Sequence, residues 1–226
     1  MIQALAEKIP LLAYLYDLLI APWSPALAFT GHLAGGFTIN LLISVVSMTL
    51  GTVIGVILGR MRFAGVRVLD GPSRLATNIC RNVPSFVLLF YMASMIPSEV
   101  NIAGQIMAVP LWIKAALALL FPVIGFCSDQ SCGYFEQRKT DPAGARETFV
   151  IAWTQYFLII IMASATASVI GADEIVGRAN SIISQTNDDQ LMLSIYFYVS
   201  LWFLASGLLV TGLIKTILKL GPKVEN

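Results

Sequence analysis

The sequence predicts an all-α polytopic membrane protein with five transmembrane helices, and three observations carry that prediction. The first is composition, with apolar residues making up 57% of the 226 residues and charged residues only 12%; the second is the mean hydropathy of +0.79. A water-soluble domain of this length needs more charge than that to cover its outside, so the solvent is largely lipid. The third observation is the spacing of uncharged runs. A hydrocarbon core about 30 Å thick needs roughly 20 apolar residues as a helix. Residues 35–59, 148–172 and 190–214 meet that with no charge at all. Residues 75–98 contain only Arg81, and residues 107–128 only Lys114, whose long stem is expected to snorkel to the headgroups.

The stretch from 1 to 34 is weaker. Glu7, Lys8, Asp17 and prolines 10, 22 and 25 interrupt it, so it is read as an N-terminal interfacial, extracytoplasmic segment, with a sixth span as the alternative. The same interruptions argue against a cleavable signal peptide. The transmembrane domain is expected over 35–220, with a short tail at 221–226. Charge asymmetry orients it. Arg60, Arg62, Arg67, Arg74, Arg81, Arg138, Lys139, Arg146, Lys215, Lys219 and Lys223 fall on one side, against Lys8, Lys114 and Arg178 on the other. Eleven basic residues against three place the N-terminus outside and the C-terminus in the cytoplasm.

Several features are candidates for function. Gly51, Gly55 and Gly59 put a smooth stripe on the first helix, suited to close packing within the bundle or to a subunit contact. Arg81-Asn82-Val83-Pro84 opens the second helix, where a proline fits the first turn and Arg81 reaches phosphate headgroups or a cytoplasmic partner. Asp129 and Glu136 lie two turns apart near the end of the third helix. They are expected to form ion pairs with Arg138 and Lys139, or Asp129 to belong to a substrate or gating site. Thr154, Gln155, Ser164, Thr166 and Ser168 thread polarity along the fourth helix. They bond back to their own backbone, or they line a polar path for which Gln155 is the best candidate. Cys80, Cys127 and Cys132 form no metal-ligand pattern and read as packing residues. His32 is the only histidine, and no nucleophilic triad or phosphate-cradling loop is present, so catalysis and resident cofactors are not expected. Neither is nucleic-acid binding.

Three stretches together resemble the membrane subunits of polar amino-acid ABC importers. They are Gly36-Phe37-Thr38-Ile39-Asn40 with Gly59-Arg60-Met61-Arg62, the Arg81-to-Tyr91 segment, and Ala167-Ser168-Val169-Ile170-Gly171-Ala172-Asp173-Glu174-Ile175. In that family an R-G-T-P-like motif opens the second helix, and A-S-V-I-G with a following acidic residue precedes the last. The resemblance implies a five-helix, type I importer permease in a bacterial cytoplasmic membrane. It further implies pairing with an identical or sibling subunit, two ATPase subunits that supply ATP hydrolysis, and a solute-binding protein. The importer's E-A-A…G coupling loop is much shortened here. Asp141, Gly144, Arg146 and Glu147 stand in its place, with Asp141-Pro142 expected to start a helix of a turn or two. The polar pair before A-S-V-I-G is replaced by Met162-Ala163. These losses support an alternative, an importer-derived structural or assembly subunit that no longer transports.

Overall fold

The computed structural model describes residues 33–102, 104–186 and 189–220. The expected interfacial segment at 1–34 therefore lies almost wholly outside the described residues, and the tail at 221–226 entirely so. The described elements run α1 (Leu33–Phe63), α2 (Arg67–Asn82), α3 (Ser85–Met95), β1 (Glu99–Ile102), β2 (Gln105–Ala108), α4 (Leu111–Gln137), α5 (Pro142–Ser164), a 3-10 turn (Ala165–Ile170), α6 (Ile175–Thr186) and α7 (Asp189–Leu220). Four helical stretches are long and apolar enough to cross a membrane: Gly36–Phe63, Leu111–Gln137, Pro142–Ile170 and Met192–Ile214. The chain is multi-pass.

The stretch expected to form the second span is divided. Pro84 has no N–H to donate and disfavours helical backbone in the residue before it. Val83 is accordingly extended (φ −77°, ψ 124°), which ends α2 and leaves α3 as an apolar helix of 11 residues. Helix α4 is the centre of the bundle, touching α1, α2, α3, α5 and the 3-10 turn.

The α1–α4 seam is built on the glycine stripe. A Cβ on Gly55 would lie 2.5 Å from Cys127 Cβ and 2.9 Å from the Ile124 carbonyl, and one on Gly59 2.7 Å from the Ser128 carbonyl. The stripe is thus filled by this chain's own α4. Ile43, Met48, Leu119 and Val123 pack along the same seam without exposure, and Ser47 Oγ donates to the Ala116 carbonyl at 2.8 Å.

Lys114 corrects the expectation of a snorkelling side chain. It is 2% exposed and turned inward, where Nζ donates to the carbonyls of Ile96 (2.8 Å) and Ala93 (3.2 Å). Because α3 stops at Met95, its last carbonyls lack helical partners, and a cation there also meets the negative end of the helix dipole. Two elements had no expectation attached: the β1–β2 hairpin, turning at Gly104 (φ 86°), and α6.

Candidate functional site: two polar clusters and a broken helix

One cluster sits where α1 meets the turn into α6. Glu174, Asn40 and Ser164 are all fully buried. Asn40 Nδ2 donates to Glu174 Oε2 and to Ser164 Oγ, both at 2.9 Å. The Ile175 N–H donates to Asn40 Oδ1 (3.1 Å), Val176 N–H to Glu174 Oε2 (3.0 Å) and Gly177 N–H to Glu174 Oε1 (2.7 Å). Every free N–H of the first turn of α6 is thereby satisfied, one through α1 and two by the residue at the cap position. A helix N-terminus also favours the negative charge. Burial nevertheless outweighs these donors and pushes the Glu174 carboxyl above its ordinary value of 4.5. Gly36 allows the approach, since a Cβ there would lie 2.7 Å from the Ile175 backbone.

The second cluster joins α1, α2 and α4 further along. Arg62 Nη1 donates to Asp129 Oδ1 at 2.6 Å, and Arg81 Nη1 to Asp129 Oδ2 at 2.9 Å. Arg62 also reaches Ser128 Oγ (3.2 Å), which is 2.7 Å from Thr77 Oγ1. Here α2 turns its hydroxyls, Ser73 and Thr77, toward the bundle and leaves Val68, Leu75 and Ile79 exposed. The expected pairing of Asp129 with Arg138 and Lys139 is corrected. Those two cations lie over the rings of Tyr134 and Phe63, while Asp129 points back toward α1 and α2. Glu136 meets the Cys132 thiol.

The polar residues of the fourth predicted span separate by face. Thr154 and Ser164 turn inward and are buried, with Thr154 donating to its own helix at the Val150 carbonyl. Gln155 and Thr166 are exposed, on one stripe with Ile151, Ile159, Met162 and Val169. Thr166 and Ser168 donate back to Ala163 and Ala165.

At the other end, Asp141 caps α5, its Oδ1 accepting from Gly144 N–H at 2.9 Å with Pro142 in the first turn. The expected short separate helix is corrected, because that turn runs straight on as α5 to Ser164. Arg146 and Glu147 are exposed on its first turns. Beside them a small cleft opens between Tyr134, Gln137, Thr148 and Phe149.

The helix break lies well inside the bundle. A Cβ on Gly125 would be 2.8 Å from the Arg81 backbone nitrogen, so the break is level with the second half of α4 rather than with its end. Arg81 and Asn82 are exposed at that level, and α3 starts without a side-chain cap. Among the described residues, no group of three His, Cys, Asp or Glu is placed to hold a metal ion.

The fold has a solved counterpart. The chain superposes on a chain of an amino acid ABC transporter (described as "with histidines") with a TM-score of 0.66, covering 97% of this chain and 98% of that one at 15% identity. The fold is that of an ABC transporter chain. No protein-family model matches the sequence, and no curated protein does. Asn40 and Glu174 both stand in the stretches that carry the importer resemblance, but their meeting in one buried network is seen only in the structure. The signal for Glu174 was local: an acidic residue after Gly171, at the cap of a helix.

Proposed function

We propose that the chain is the membrane subunit of an ATP-driven importer for amino acids or a similar small polar solute. The observation that carries this reading is the helix broken at residues 82–84. A discontinuous helix inside the bundle frees backbone groups and points an uncapped N-terminus, with its partial positive charge, at whatever occupies the break. Arg81 and Asn82 are exposed beside it, and polar groups at membrane depth are costly against lipid but not against a water-filled path. In this reading α2 and α3 together make the fifth passage, the N-terminus lies outside and the C-terminus in the cytoplasm of a bacterial inner membrane. Gln155 and Thr166 face the path from an identical or sibling subunit's side. Asp141, Gly144, Arg146 and Glu147 form the docking point for an ATPase subunit, and a solute-binding protein delivers from outside. The likeness to an amino acid ABC transporter supports the solute class.

The hairpin between α4 and α5 favours a second reading. Only residues 138–141 separate the two helices, which leaves no independent lever for an ATPase. An importer-derived structural subunit fits that. Purification from native membrane followed by mass spectrometry tests both. The importer reading expects an ATPase subunit whose recovery drops at least tenfold in Arg146→Glu/Glu147→Arg, together with nucleotide-dependent amino-acid uptake in proteoliposomes that Asn82→Leu abolishes. A non-transporter partner with no ATPase and no uptake sinks the importer and leaves the structural subunit.

A further inference from the structure

We infer that the cytoplasmic ends of α1 and α4 form a binding site for the phosphate of an anionic phospholipid. Two cations share one pair of rings there. Phe63 and Phe135 lie with centroids 5.5 Å apart. The Lys139 ammonium sits 4.4 Å over the Phe63 ring, and the Arg60 guanidinium carbon 5.8 Å over that of Phe135. Cation–π contact holds both long side chains over a fixed platform, which lowers the ordering entropy lost on binding an anion.

The local charge balance leaves these two cations for an external partner. Neither enters any of the four ion pairs among the described residues. Asp129 is already shared by Arg62 and Arg81. Glu136 accepts from the Cys132 thiol at 3.9 Å.

Depth selects lipid as the occupant. Arg60 and Phe135 each lie about 24 residues beyond the start of their membrane-crossing helices, roughly 36 Å at 1.5 Å per residue. That exceeds the 30 Å hydrocarbon core but falls within the roughly 40–45 Å that includes headgroups. The rings therefore sit at the aromatic belt and the cations at the phosphates. Basic groups near the surface of an anionic leaflet each strengthen its binding, and Arg60 on α1 and Lys139 just past the end of α4 stand over adjoining rings. The site depends on the membrane orientation and not on transport, so it stands or falls apart from the importer reading.

The test is a titration of the detergent-purified full chain with phosphatidylglycerol, phosphatidylcholine or inorganic phosphate, read by thermal shift and native mass spectrometry. Phosphatidylglycerol is expected to bind and raise Tm, with the other two ineffective at equal concentration. Arg60→Gln and Lys139→Gln are each expected to weaken that binding about fivefold, and together about 25-fold. The charge-preserving Arg60→Lys/Lys139→Arg stays within about twofold of the parent, as does Arg146→Gln. Equal binding of phosphatidylcholine would overturn the site, as would an undiminished shift in the double Gln variant or an equal loss in Arg146→Gln. Stabilisation by inorganic phosphate alone would reassign it to a soluble anion. A double variant that keeps lipid but loses an ATPase subunit would make this face a protein contact, and the lipid assignment would fall.

Discussion

The two carboxylates that hold α1 in place are stabilised in opposite ways. Glu174 is fully buried and receives only amide donors, one from Asn40 and two from the backbone that follows it. Asp129 has a side chain 30% exposed and receives two guanidinium groups. A full ion pair in a dry interior carries a desolvation penalty for both partners, whereas fixed backbone dipoles at a helix start are already in place when the charge arrives. At a partly exposed carboxylate that penalty is smaller, and long arginines can reach across three helices. The difference separates a rigid joint from an adjustable clasp.

The seam that connects joint and clasp gives the largest expected effect. Gly55→Val puts atoms into the space of Cys127 and the Ile124 backbone, and α1 cannot keep its register on α4. A loss of more than about 3 kcal/mol is expected, seen as aggregation on size-exclusion chromatography. A monodisperse protein with unchanged Tm would mean that α1 and α4 do not pack this closely.

Next is Asn40→Leu, which leaves the Ile175 N–H without an acceptor and removes one donor from a buried carboxylate. A cost of about 2–4 kcal/mol is expected in chemical denaturation. In the clasp, Arg81→Gln removes a partner that is 56% exposed, and the cost there is about 1 kcal/mol or less. If Arg81→Gln costs more than Asn40→Leu, the division into joint and clasp is wrong.

A pH series separates the two further. The folded protein holds the Glu174 proton more tightly than the unfolded chain does, because its carboxyl is raised above 4.5. Stability from this residue is therefore greatest at acidic pH and falls as pH rises from about 4.5 through the raised value, then levels off. Glu174→Gln should flatten that slope, as measured by Tm between pH 4 and 8. A slope unchanged in the variant would move its source elsewhere. The smallest effect is salt: 0.5 M NaCl should weaken the Arg81–Asp129 contribution by a few tenths of a kcal/mol and leave the Asn40–Glu174 contribution unchanged.

Much of the fold was legible because lipid imposes a simple rule on composition. The four long helices follow from runs such as 148–172, where nothing charged interrupts. Their ends were less legible: α4 runs on to Gln137 past Asp129, because turns beyond the hydrocarbon core accept charge that a hydropathy limit reads as a stop. The Asp141 cap and the glycine seam were readable, since both depend on neighbours a few residues away. What stayed hidden depends on distant partners. Glu174 stands among outer-face charges in the sequence, and only the approach of Asn40, 134 residues earlier, makes it a buried network. Lys114 misled for the same reason: a cation near a helix end suits headgroups or carbonyls equally until α3 is seen to stop beside it.

That inward lysine bears on how the protein is made. An α4 entering the bilayer alone would carry a bare ammonium in its first turn, where snorkelling to the headgroups keeps the cost below the roughly 2.5–3.5 kcal/mol of a lysine at full depth. The acceptors that remove this cost belong to α3, which is itself too short to cross. Docking of α3 turns that lysine from the headgroups to the carbonyls of Ala93 and Ile96, which ties the end of one helix to the start of the next across the β-hairpin.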